Sequence, residues 1–306
     1  MNQERAKLFI RSLHSFVFAA CLIAVSGAGT ARADTSIEVV ASFSILGDIV
    51  RQIGGDRVHV TTLVGPGEDA HVYQPTPADA RTVAEARLLV VNGLGFEGWI
   101  DRLTKASGYE GRVVTATAGV KPLWVGESGH REIDPHAWQS LDNARIYVRN
   151  IAGGLAAVDP AGAETYRRNT TRYMEEIDAV EAQVRETIES LPAERRMVVT
   201  SHDAFGYLSA AYGIEFRAPV GFSTEAEPSA GDVARLIRQI NREKIPAVFI
   251  DNISDRRLLD QIVRETGAQI GGTLYSDALS KAGGPADTHL DMMLHNIRTL
   301  VAALGD

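Results

Sequence analysis

Residues 161–191 read AGAETYRRNTTRYMEEIDAVEAQVRETIESL. Apolar side chains stand at Tyr166, Tyr173, Ile177, Val180, Val184, Ile188 and Leu191, mostly three or four positions apart. That spacing puts them on one face of a helix and leaves the charged residues on the other. The stretch is expected to be a single amphipathic helix which, at 1.5 Å per residue, runs roughly 45 Å. A helix of that length reaches across two lobes. One stiff connector between them predicts little opening and closing.

On either side of this helix, short β-branched runs alternate with helical spacing. Before it, strands are expected at Ile37–Ala41, Val58–Val64, Arg87–Val91 and Val113–Thr115, with helices at Ser44–Ile53, Pro77–Ala86 and Phe96–Lys105. After it, strands are expected at Met197–Ser201, Ala247–Ile250 and Gln269–Tyr275. The helices there are Ala204–Tyr212, a segment from Ser229 to about Glu243, Asp255–Thr266 and His289–Leu304. Ser229 with Asp232 three residues on reads as a capping box. Pro77 sits near a helix start, where its missing N–H does no harm. Strands alternating with helices imply parallel pairing. The fold class is therefore α/β: an N-terminal lobe at 34–160 and a C-terminal lobe at 192–306, each a mostly parallel sheet flanked by helices, joined by the long helix.

The first 33 residues are expected to be removed. A basic start (Arg5, Lys7, Arg11), an apolar run from Leu13 to Val25 and the sequence Ala31-Arg32-Ala33 are the three parts of a secretory signal peptide, with cleavage after Ala33. The run is too short for a transmembrane span. Cys21, the only cysteine, lies inside it and could carry a lipid, but Phe18-Ala19-Ala20 before it is a poor lipoprotein signal. Cleavage after Ala33 would leave no thiolate, so any metal site must use His, Asp and Glu. The segment carries a net +3, with Glu4 against Arg5, Lys7, Arg11 and Arg32, and its loss takes the formal charge from −8 to −11. An acidic surface does not favour nucleic acid or anionic lipid.

The eight histidines are His14, His59, His71, His130, His136, His202, His289 and His295. His14 leaves with the signal, and His59 and His295 fall inside a strand and a helix. His71 lies in Gly65-Pro66-Gly67-Glu68-Asp69-Ala70-His71, after a strand. His202 directly follows another strand, and Asp277 follows a third. His136 stands in the irregular stretch Asp134-Pro135-His136-Ala137-Trp138. In parallel sheets, ligands bind in the crevice beyond the carboxyl ends of the strands. A single histidine there is more often a surface or capping residue than a ligand. If these four converge between the lobes, three imidazoles and one carboxylate make a donor set suited to tetrahedral Zn²⁺.

Several stretches resemble the periplasmic zinc- and manganese-binding proteins of bacterial ABC importers. They are GPGEDAHVYQPTPAD (65–79), VVNGLGFEGWIDRL (90–103), DPHAWQSLDNARIYVRNIA (134–152), TSHDAFGYLSAAYGI (200–214), VFIDNISDRRLLDQIVRETGAQIGGTLYSDALS (248–280) and HLDMMLHNI (289–297). The resemblance runs through nearly all of 34–306. It implies two similar lobes, a long connecting helix and one metal ion between the lobes, with His71, His136, His202 and Asp277 as ligands. It implies a monomeric carrier whose partners are a transition-metal ion and the membrane permease of an ABC importer, not nucleic acid. Ala70 and Gln74 stand where the family usually has Pro and an acidic residue. The stretch Gly126–Ile133 is short, with His130 its one histidine, where many zinc members carry a His-rich loop. Manganese members tend to have Glu in place of His202. Three nitrogens and one oxygen favour Zn²⁺, with Mn²⁺ the alternative. Protonation should weaken binding as pH falls through roughly 6.5, the ordinary imidazole range.

Gly93-Leu94-Gly95-Phe96-Glu97-Gly98 fits the dinucleotide pattern G-x-G-x-x-G, but no acidic residue stands about twenty positions on to hold a ribose. A secreted zinc hydrolase is the rival of another class. Glu68, Asp69 or Asp203 could serve as its base, yet four protein ligands leave no open coordination position, and no H-E-x-x-H is present. The sequence reads as a binding protein and not an enzyme. A siderophore or vitamin B12 carrier would not need four metal ligands at these places.

Overall fold

Strands buried on both faces dictate the architecture. The computed structural model of the chain describes residues 36–125, 132–225, 228–245 and 247–305. In it, strands β1 (Ile37–Phe43), β2 (Val58–Val64), β3 (Leu88–Val91) and β4 (Arg112–Thr115) form a parallel sheet in the order β2-β1-β3-β4. The last five residues of β1 and all of β3 are buried, as strands with helices on both sides must be. Helices α1 (Ser44–Gly54), α2 (Pro77–Glu85), α3 (Ile100–Ser107) and α4 (Leu141–Val158) accompany this sheet. A two-stranded antiparallel ribbon, β5 (Trp124–Val125) and β6 (Glu132–Ile133), stands apart.

Helix α5 (Ala163–Glu189) follows, with Tyr166, Tyr173, Ile177, Val180, Val184 and Ile188 buried on one face. Its N-terminal half bonds to α1, where Asn169 donates to Ile53 O at 3.0 Å. Its C-terminal half meets α6 (Gly206–Tyr212), where Tyr212 donates to Glu181 at 2.7 Å. One helix therefore touches both sheets' surroundings, as its periodicity predicts.

The second sheet comprises β7 (Met197–Val199), β8 (Glu215–Arg217), β9 (Ala247–Asp251) and β10 (Gln269–Leu274), parallel, in the order β10-β9-β7-β8. Counted within each half, both sheets place the first strand between the second and the third. Strand order reverses at that first strand, which opens a crevice at the carboxyl edge. Helices α7 (Ala230–Glu243), α8 (Arg257–Thr266) and α9 (His289–Leu304) complete the chain. Among the described residues, no helix is long and apolar enough to cross a membrane.

The two halves are tied by named hydrogen bonds. Trp138 Nε1 and Gln139 Nε2 both donate to Ser276 O at 2.8 Å. The Leu279 N–H donates to Ser44 Oγ at 3.0 Å, and the His289 N–H, at the start of α9, donates to Asp48 Oδ2 at 2.8 Å. One apolar core runs from the first sheet through Phe205 and Phe249 to Met292 and Leu300, and a smaller one lies under α7 and α8.

Three differences from the sequence expectations have physical causes. The helix expected at 96–105 begins only at Ile100, because the chain first closes two tight turns, with the Phe96 N–H on Gly93 O at 3.2 Å and the Ile100 N–H on Glu97 O at 3.1 Å, while the Glu97 carboxyl is drawn back to Asn92 and Gly93. Helix α4 escaped the periodicity reading because Ala152, Gly153, Gly154, Ala156 and Ala157 dilute its apolar stripe of Leu141, Tyr147, Val148, Ile151 and Leu155. At α7, Ser229 caps the Asp232 N–H, but Asp232 bonds the serine hydroxyl and not its backbone N–H, so the box is half made. The reciprocal box is at α2, between Thr76 and Asp79. The signal segment 1–33 with its cleavage after Ala33, Cys21, His14 and His130 lie outside the described residues.

Candidate metal centre

Four loops carry the four side chains singled out from the sequence. His71 lies midway along the loop after β2, which is pinned by Trp99 Nε1 donating to Ala70 O at 2.8 Å and by the His71 N–H donating to Asp69 Oδ1 at 2.9 Å. His136 precedes a single 3₁₀ turn, Ala137–Gln139. Its N–H and its Nδ1 both meet Asp134 Oδ1, at 2.9 and 2.8 Å. His202 follows β7, and its N–H and Nδ1 both meet Asp251 Oδ2, at 3.0 and 2.6 Å. Asp277 follows β10 on the segment that Trp138 and Gln139 hold.

All four are buried, and one ligand atom from each lies within 4.8 Å of all the others. Nε2 of His136 is 3.4 Å from Nε2 of His71. Nε2 of His71 and Nε2 of His202 stand 3.2 and 3.1 Å from Asp277 Oδ2. Asp277 Oδ1 is buried without a hydrogen-bond partner, with His136 Nε2 3.5 Å away. Carboxylates on the Nδ1 atoms of His136 and His202 make those nitrogens the donors, so the Nε2 lone pairs face the shared centre. Three imidazole nitrogens and a carboxylate with an unsatisfied oxygen fit a single divalent cation.

The charges couple. Burial works against an ionised Asp277, but His202 and His136, with hydrogen bonds from His202 and His71, outweigh it and hold the carboxyl well below its usual range. Burial also works against a charged His202, yet Asp277 and Asp251 prevail and hold the imidazole well above its usual range.

The other histidines serve elsewhere. His59 faces Glu38 in the open, and His295 bonds Thr273 O. His289 is buried against Trp138 O, and burial pushes its imidazole down to about 4. Of the bases a hydrolase could use, Glu68 accepts the Gly65 N–H, and Asp69 is engaged by the His71 N–H and by Thr224 Oγ1. In the glycine-rich stretch, the Glu97 carboxylate accepts the N–H groups of Asn92 and Gly93 at 2.6 and 3.2 Å. The Glu97 carboxyl thus occupies the N–H groups that a dinucleotide phosphate would need. Asp134 and Asp251, which orient two imidazoles, were not singled out from the sequence. The available signal was an Asp two residues before His136 and another ending a buried strand.

Known proteins resemble this chain over most of its length. Residues 39–303 match the family model described as zinc-uptake complex component A, periplasmic. The manganese-binding lipoprotein MntA of Halalkalibacterium halodurans is 33% identical over 297 residues, covering 95% of this chain and 98% of its own. The iron-binding protein YfeA of Yersinia pestis is 36% identical over 305 residues, covering 97% of each chain. The solved structure of the periplasmic zinc-binding protein TroA from Treponema pallidum superposes with a TM-score of 0.84 at 34% identity, covering 88% of this chain and 99% of that one.

Proposed function

Because this chain belongs to the family of periplasmic component A of zinc-uptake complexes, we propose that it captures one Zn²⁺ with His71, His136, His202 and Asp277 and delivers it to the membrane permease of an ABC importer. It is a metal-binding solute-binding protein with the two-lobe α/β fold of its relatives. The observation that carries the zinc reading is the donor set: three inward Nε2 atoms and one carboxylate within 4.8 Å. Imidazole suits Zn²⁺, while Mn²⁺ prefers more oxygen donors and higher coordination. Manganese is the second reading, because a relative at 33% identity is named for it.

Four protein donors close the coordination sphere, which suits a carrier and leaves a hydrolytic water no position. Family and relatives are named for binding and transport. We place the protein in the periplasm, exported by the segment that ends at Ala33, as a monomer with lobes 34–160 and 192–306 facing the ion.

The test is direct. Residues 34–306 are purified, stripped of metal and titrated with Zn²⁺ and Mn²⁺, singly and together. One tightly bound Zn²⁺ that Mn²⁺ does not displace is the expected result. Preferential retention of Mn²⁺ would keep the carrier and change its cargo. Binding of neither would overturn the reading.

A further inference from the structure

The turn Gly93-Leu94-Gly95 lies beside the metal centre, with three consecutive positive φ values, one of them on a leucine. Such a backbone is held only when its surroundings over-determine it, and held strain of this kind gathers at functional sites. The strained residue is Leu94; Gly93 takes its positive φ freely, but no side chain fits there, because a Cβ would come within 2.5 Å of Thr115 Cγ2. What fastens the turn is Glu97. The residue is 5% exposed, and its carboxyl group takes three donors: Ser42 Oγ at 2.6 Å, the Asn92 N–H at 2.6 Å and the Gly93 N–H at 3.2 Å. It touches none of the four candidate ligands in the described contacts, and the capture of a cation as derived above makes no use of it.

Two routes lead from this carboxylate to the ligands. Asn92, whose N–H it holds, donates through Nδ2 to Pro135 O at 2.9 Å, the carbonyl immediately before His136, while Tyr147 donates to its Oδ1 at 2.5 Å. Phe96, the residue before Glu97, packs its ring 4.8 Å from that of His71 and 4.7 Å from that of Trp138. Trp138 in turn holds Ser276, next to Asp277.

We propose that Glu97 is a positioning residue of the metal centre, fastening the strained turn so that Asn92 sets the backbone of His136 and Phe96 sets the ring of His71. This rests on the reading of the four residues as metal ligands. The two imidazoles whose Nε2 atoms are 3.4 Å apart are the pair so placed. Loss of the carboxylate loosens the spacing of this pair and leaves His202, in the loop after β7 of the second sheet, in place.

The test compares the full chain with its Glu97→Gln variant, in which an amide N–H₂ faces backbone donors. Zinc affinity is measured by chelator competition. Co²⁺ serves as a probe, because its visible absorption reports tetrahedral geometry. The expected result is a zinc affinity about 10–100-fold weaker, the range for groups that orient metal ligands, together with a changed Co²⁺ band. Asn92→Ala should act along the same route, so the double variant loses less than the two single losses combined. If Glu97→Gln does not fold, Ser42→Ala removes one of the three donors and is expected to weaken zinc several-fold. Wild-type affinity with an unchanged Co²⁺ band in the folded variant overturns the proposal, even where its melting point falls. If the unmodified chain binds no metal, the ligand reading fails. If it binds, His136→Ala abolishes binding and Glu97→Gln changes nothing, only this inference fails.

Discussion

Nδ1 of His202 and Oδ2 of Asp251 lie 2.6 Å apart, and the same oxygen accepts the His202 N–H at 3.0 Å. One carboxylate therefore fixes both the backbone and the ring of a candidate ligand. Asp251→Asn keeps an acceptor but loses the charge that raises imidazole basicity, so zinc affinity should fall about tenfold. Asp251→Ala should cost nearer a hundredfold. His202→Ala or Asp277→Ala, which remove donors outright, should exceed both. Chelator competition on the four variants gives the order, and an Asp251→Ala chain binding like wild type would show the pair to be inert.

Protons compete with the metal at this site. Because His202 is held well above its usual range, it must release a proton to ligate, and affinity should begin to fall at a higher pH than the roughly 6.5 of an ordinary imidazole. Near pH 7, zinc binding should release about one proton. Calorimetry in two buffers of different ionisation enthalpy measures that number, and a value of zero would contradict the coupling. For the cation-free fold the signs are opposite. The raised His202 contributes stability that is complete below the imidazole's unfolded value and is lost as pH rises through its folded value. The depressed Asp277 contributes above its unfolded value and is lost as pH falls through its folded one.

His289 predicts an acid limb of stability. Its imidazole is pushed down to about 4 by burial, so between about 6.5 and 4 the unfolded chain binds the extra proton. Stability should fall by about 3 kcal/mol as pH drops through that window. His289→Gln can still donate to Trp138 O but cannot titrate. Urea unfolding at several pH values should show a flatter acid limb for this variant, and an identical one would assign the effect elsewhere.

The segment from Val220 to Glu225 lies against the site. Val220 bridges to His202, the Phe222 ring lies 6.2 Å from that of His136, and Thr224 Oγ1 donates to Asp69 Oδ2 at 2.6 Å. A cavity of about 440 Å³ lined by Asp69, His202, Thr224 and Ser254 adjoins it. Thr224→Val removes one hydrogen bond to a charged group, worth about 1.5 kcal/mol, and should speed zinc release about tenfold. Stopped-flow mixing with excess chelator measures the rate, and an unchanged rate would discount the tie.

Much of this was legible in the residues. Val58–Val64 and His289–Leu304 appear with the expected bounds, and the connecting helix differs only by frayed ends, because strong periodicity and clear caps leave little to tertiary context. His71, His136, His202 and Asp277 could be singled out because each stands in a loop, three of them beyond strand ends. That they meet depends on two sheets facing each other, which no local spacing encodes. The supporting carboxylates were hidden for the same reason: Asp251 is 49 residues from the ring it orients. The helix expected from Phe96 starts four residues late, because helical spacing over Phe96–Lys105 does not reveal that the Glu97 carboxyl is drawn back to Ser42, 55 residues away.

The segment holding Asp277 is fastened to the first sheet's side by Trp138, Gln139 and Ser44, and to the second by Asn252, which donates to Ala278 O and accepts the Ser276 N–H. Anyone building an optical zinc sensor from this scaffold should take note. Dyes placed on the two sheets would sit on bodies tied to each other through the Asp277 segment, and only a small change in distance is expected between them. A single environment-sensitive dye near Thr224, beside the cavity that reaches His202, would read the site itself.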